Sequence, residues 1–144
     1  MILIKLNVLI FFIIMKFISS SQADNTIFDN ITINTPPGKM VNIDTHSLHI
    51  FCKGEGSPPV ILEAGIGANM LDWIKIIPEI SKITKVCAYD RAGYGWSTRG
   101  PKPRLTSVLA KELYTLLLAD NISAPYILVG HSFGGLIILN FASL

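Results

Sequence analysis

The chain predicts an α/β fold, a mostly parallel sheet flanked by helices. Three observations carry that expectation. Apolar runs of strand length alternate with segments of helical periodicity. The central apolar runs are continuous, as in strands covered on both faces. Half of the 144 residues are hydrophobic and 15% are charged, against roughly 25% charged in ordinary soluble chains. That balance excludes a disordered, highly charged protein. It also gives no default reading as a basic nucleic-acid binder.

The elements follow in order. Residues 1–18 are apolar except for Lys5, Asn7 and Lys16, and small or polar residues follow up to Ala23. A charged start, an apolar core and a small-residue exit make residues 1–23 a signal peptide for a secreted or periplasmic protein. Ser21 and Ala23 fit the small-x-small cleavage pattern. The alternative is a membrane anchor over residues 2–18. Its uninterrupted core, Val8 to Met15, is far shorter than the roughly 20 residues a spanning helix needs. Removing the leader takes away Lys5 and Lys16. The formal net charge of +2 then becomes zero, and no electrostatic preference for nucleic acid remains.

Residues 24–38 are polar and read as a linker, and residues 39–144 as a partial domain. Lys39 to Asp44 and Leu48 to Lys53 form a hairpin around Thr45-His46-Ser47. Val60-Ile61-Leu62 is a buried strand. Met70 to Ile77 carries Trp73, Ile76 and Ile77 at helical spacing, and Pro78 is expected to break or kink that helix. Lys85 to Tyr89 is a second buried strand, followed by a glycine-rich loop, Arg91 to Ser97. Leu105, Val108, Leu109, Leu113, Leu116 and Leu117 mark one helix face. Tyr126 to Val129 is a third buried strand, and Leu136 to Phe141 starts another helix. Cys52 and Cys87 lack Cys-x-x-Cys spacing, so zinc is not expected. They read as buried thiols, and export would permit a disulfide. Asn30-Ile31-Thr32 and Asn121-Ile122-Ser123 match the glycosylation pattern.

The chemistry is concentrated in Gly130-His131-Ser132-Phe133-Gly134. This Gly-x-Ser-x-Gly follows an apolar strand and precedes a helical run, the setting of a nucleophile elbow. Such a turn holds Ser132 strained and presents its hydroxyl. Gly130 and Gly134 are expected to avoid collisions with neighbouring strands. The helix N-terminus aims free N–H groups at developing negative charge, with Phe133 N–H as an oxyanion donor.

With Leu62-Glu63-Ala64-Gly65-Ile66-Gly67, Trp73 and Tyr89-Asp90-Arg91-Ala92-Gly93-Tyr94-Gly95-Trp96-Ser97, this elbow resembles the N-terminal half of the alpha/beta hydrolase fold-1 family. The resemblance covers residues 39–144 and ends after the elbow helix. It implies Ser132 as nucleophile and the backbone N–H groups of Ile66 and Phe133 as the oxyanion hole. Ala64 stands where many relatives have His, which leaves a backbone donor intact. The resemblance gives Asp90 a role in ordering its loop. It also sets the second strand beside the fourth, which makes Cys52 and Cys87 residues of neighbouring strands. Trp73 and Trp96 are expected to pack, and residues 98–104 to form a solvated loop whose Arg99, Lys102 and Arg104 need no ligand.

A serine hydroxyl needs a base, and in this fold the acid and His follow the serine. No Asp, Glu or His follows Ser132 within the chain, and His46, His49 and His131 are in the wrong places. The expectation is a serine hydrolase acting on a small-molecule ester or amide, inactive as this fragment. No metal or organic cofactor is implied. Membrane contact would come only through an uncleaved N-terminal segment. The competing readings are a non-catalytic fragment or interaction module, and an acyltransferase using the same residues.

Overall fold

A computed structural model describes residues 35–144. The leader expected over residues 1–23, and the polar segment up to residue 34, lie outside the described residues. One sheet is built from β1 (Lys39–Asn42), β2 (Ser47–Lys53), β3 (Val60–Glu63), β4 (Val86–Tyr89) and β5 (Ile127–Gly130), in the spatial order β1-β2-β4-β3-β5. β1 and β4 each pair antiparallel with β2, while β4, β3 and β5 are mutually parallel. Only β2 runs against the others, so the sheet is mostly parallel, as expected.

Burial explains the continuous apolar runs. Successive side chains of a strand point to opposite faces. Ile61, Cys87, Tyr89 and Leu128 face one core with Leu113, Leu116 and Ile137. Leu62, Val86, Ala88 and Val129 face another with Met70, Trp73 and Ile77. Both faces of the central strands are covered, and the one charged residue on them, Glu63, is buried and paired. Each fully buried leucine or isoleucine contributes about 1.5–3 kcal/mol.

The helices are α1 (Ile77–Ile80), α2 (Thr106–Ala119) and α3 (Phe133–Phe141). α2 buries Leu109, Leu113, Leu116 and Leu117 of the expected face, while Leu105 is the exposed N-cap residue before the helix and Val108 is half-buried. Asn121 leaves the helix at φ 56°. Pro78 departs from expectation. It lies in the first turn of α1, where a missing N–H costs nothing, and so starts a helix. The expected helix before it is a 3-10 turn, Met70–Trp73. The Asn69 side chain accepts from Leu71 N–H (2.9 Å), and Asp72 accepts from Asn69 N–H (2.9 Å). Those caps stabilise a short turn rather than a long helix.

The two cysteines also depart from the expectation of buried thiols. Cys52 and Cys87 are direct partners in the antiparallel β2–β4 register, and they form a disulfide with Cα atoms 4.1 Å apart. The pairing depends on register, which composition does not specify. Among the described residues no helix is long and apolar enough to cross a membrane.

Candidate active site

Between β5 and α3 the chain reverses through His131 and Ser132. Ser132 adopts φ 52°, ψ −120°, a conformation that costs a side-chain-bearing residue about 1–3 kcal/mol. The surroundings enforce it. His131 N–H donates to Glu63 O (3.0 Å), Gly134 N–H to His131 O (2.9 Å) and Gly135 N–H to Ser132 O (2.9 Å). A β-carbon on Gly134 would sit 2.6 Å from Ala64 O, at the end of the neighbouring strand. Gly130 is restricted differently from the expectation. Its β-carbon would meet Gly134 C and Gly135 N at 2.8 Å, so the collision is with the first turn of α3 and not with a strand.

The second loop, residues 64–67, follows β3. Gly67 has φ 77°, where a side chain is strained. A β-carbon on Gly65 would lie 2.9 Å from His131 Nδ1, so the His131 ring rests against this loop. Ile66 is 71% exposed. Ile66 and Phe133 line the same cleft, of about 480 Å³. Neither backbone N–H has an acceptor among the described residues. Two unpaired donors bordering one space can receive developing negative charge.

Sequence reasoning missed what holds that loop. Arg91 is buried, and its Nη1 donates to Glu63 Oε1 (2.5 Å) and to Ala64 O (2.6 Å), while Nη2 donates to Gly65 O. Tyr89 Oη donates to Glu63 Oε2. Burial pushes the Glu63 carboxyl up to about 7, against the opposing pull of the Arg91 guanidinium and the Tyr89 hydroxyl. The same burial, with Glu63 beside it, raises the Tyr89 phenol well above its ordinary value. One signal was available: the charged residue Glu63 directly follows the buried run 60–62, and Arg91 lies two residues after the buried run 86–89.

Asp90 orders its own loop. Oδ1 accepts from Met70 N–H (2.8 Å), and Oδ2 accepts from Trp96 N–H (3.0 Å) and lies 3.0 Å from His49 Nδ1. His49 Nε2 contacts Pro37 O, so both ring nitrogens are engaged. Trp73 is buried in the core, and Trp96 lies against His49 with ring centroids 4.9 Å apart. The 98–104 loop is solvated, as expected: Thr98, Arg99, Pro101, Lys102 and Pro103 are exposed, and Arg104 is half-buried. Arg104 makes a two-pronged pair with Glu112 (2.5 and 2.7 Å), which raises its guanidinium pKa further. Among the described residues no group of three His, Cys, Asp or Glu could hold a metal.

Comparison with known proteins adds to this geometry. Residues 58–144 match the model of the alpha/beta hydrolase fold family. The chain is 34% identical over 85 residues to the uncharacterized protein YqjL of Bacillus subtilis, covering 59% of this chain and 34% of that one. It is 32% identical over 91 residues to the dihydrolipoyllysine-residue acetyltransferase component of the acetoin cleaving system of Pseudomonas putida, covering 63% and 24%. A thermophilic esterase from Thermogutta terrifontis superposes with TM-score 0.66 at 23% identity, covering 73% and 40%. The enol-lactonase from Burkholderia xenovorans does so with TM-score 0.64 at 25% identity, covering 69% and 39%. The chain thus spans about a third or less of the curated relatives it matches and about two fifths of these solved structures.

Proposed function

The chain belongs to the alpha/beta hydrolase fold family, a hydrolase-type family, and on that premise we propose that it carries the nucleophilic half of a serine hydrolase acting on an ester or amide. The observation that carries the proposal is Ser132, held at φ 52° and followed directly by Phe133, which shares a cleft with Ile66; neither backbone N–H has an acceptor among the described residues. Ser132 Oγ attacks the carbonyl carbon while a base takes its proton, and the C=O electron pair moves onto oxygen. The two N–H groups stabilise that oxyanion. The intermediate collapses, the leaving alcohol or amine takes the proton, and water repeats the sequence on the acyl-enzyme. No step calls on a metal or organic cofactor.

None of the three histidines serves as that base. His49 has both ring nitrogens engaged, His46 lies beside Glu112, and His131 rests against the 64–67 loop. The base and its orienting acid are therefore assigned to residues outside these 144, and residues 1–144 alone are expected to turn over no substrate. Export by the 1–23 leader is part of the proposal. The Cys52–Cys87 disulfide supports it, because such bonds persist in oxidising compartments. Anchoring through residues 2–18 is the variant of that proposal.

The second reading is acyl transfer, in which an alcohol or amine replaces water. It is favoured by the likeness to an acetyltransferase component, and only analysis of products separates the two. The test is a fluorophosphonate probe on protein carrying the whole domain. Labelling is expected at Ser132 and absent in Ser132→Ala. A folded protein that takes no label overturns the reading in favour of a non-catalytic module.

A further inference from the structure

We propose that the cleft beside the elbow takes esters bearing a second, anionic group, a carboxylate or a phosphate. This rests on the serine hydrolase reading and names its substrate class. The cleft is lined by Arg91, Arg99, Lys102 and Arg104 and by no acidic side chain; it adjoins the elbow through Phe133, the residue after Ser132, and Ser132 itself does not line it. Two of these cations are already satisfied: Arg91 by Glu63 and two carbonyls, Arg104 by Glu112. Arg99 and Lys102 are exposed and have no acidic partner among the described residues. They leave two positive charges unbalanced on one wall. Tyr94, Leu109 and Phe133 give the same cleft an apolar surface, which suits an acyl chain between the reacting carbonyl and a distal anion.

The segment that presents the two cations is tethered at both ends. Thr98 N–H donates to Ser47 O (3.0 Å), and Gly93 N–H to Thr98 O (2.9 Å). At the other end Arg104 holds Glu112 and also reaches Pro101 O (3.3 Å). Charges on a tethered segment lose less freedom on binding than charges on a loose one. A cleft of one sign also concentrates oppositely charged substrate.

The experiment compares a p-nitrophenyl half-ester of glutarate with a neutral p-nitrophenyl ester of equal chain length, on protein carrying the whole domain. The expected result is a kcat/KM preference of about tenfold for the anionic ester, equivalent to ~1.4 kcal/mol. The ratio should approach one in Arg99→Gln/Lys102→Gln and fall as ionic strength rises. Equal turnover of both esters, with the ratio unmoved by the double substitution, overturns the anionic cleft and leaves the serine hydrolase reading standing. Turnover of neither ester by folded protein counts against that reading instead. Calorimetric titration with glutarate and with inorganic phosphate then decides the cleft separately. Binding of either anion that is lost in the double variant supports the proposal and tells the two anions apart, and binding of neither overturns it.

Discussion

The two loops that meet at Ser132 are built by different means. The elbow, residues 130–135, is held by backbone: close approaches that only glycine permits, and hydrogen bonds between main-chain groups. The 64–67 loop is held by charge, with a buried guanidinium gripping its carbonyls and a buried carboxylate gripping the guanidinium. The first device is steric and indifferent to pH, and part of it reaches across the sheet to the carbonyls of Glu63 and Ala64. The second depends on residues 26–28 positions apart and on a carboxyl that titrates near neutrality.

The largest effect is expected from Arg91→Met. It should cost about 3–5 kcal/mol, because it leaves a buried charge without its partner. The loss should be largest above pH 7, where Glu63 is ionised, and urea unfolding at two pH values measures it. An equal loss at low and high pH would mean that packing, not charge, holds the loop.

Glu63 supplies the next test. Its folded pKa is raised from 4.5 to about 7. Its contribution is therefore fully present below pH 4.5 and is lost as pH rises through 7, by about 3 kcal/mol across the window. Glu63→Gln should flatten that part of the stability profile relative to wild type. Unchanged slopes in parallel thermal melts would refute the assignment.

Gly134→Ala addresses the steric loop. It should destabilise by about 1–3 kcal/mol through overpacking against Ala64 O and Glu63 O, by the same amount at every pH. A pH-dependent loss would merge the two loops into one mechanism. The smallest effect is expected from Ser132→Gly, which should raise stability by about 1 kcal/mol by relieving the strained φ. Destabilisation there would show that the serine side chain contributes more than its backbone strain costs.

How much was legible follows from these particulars. The elbow could be read because strand, glycines, serine and helix are contiguous, and steric need over five residues leaves a local pattern. The strands could be read because coverage on both faces makes them continuous apolar runs. Pro78 was misjudged because proline breaks a helix from inside and starts one from its first turn, and the sequence alone does not say which turn it occupies. The cysteine pairing was left open because the resemblance sets the two strands side by side without fixing their register. The Arg91–Glu63–Tyr89 cluster was missed because it joins residues at the ends of separate strands.

The alternation of elements, the buried strands and the strained serine turn are written in the sequence. Each of these is a consequence of near-neighbour sterics and hydrophobic periodicity, which act along the chain. Only the tertiary structure decided that Cys52 faces Cys87, that Arg91 grips the 64–67 loop, and that Arg99 and Lys102 share a cleft with Ile66 and Phe133. Those depend on which strands lie side by side and in what register, and long-range pairing leaves little trace in any one segment.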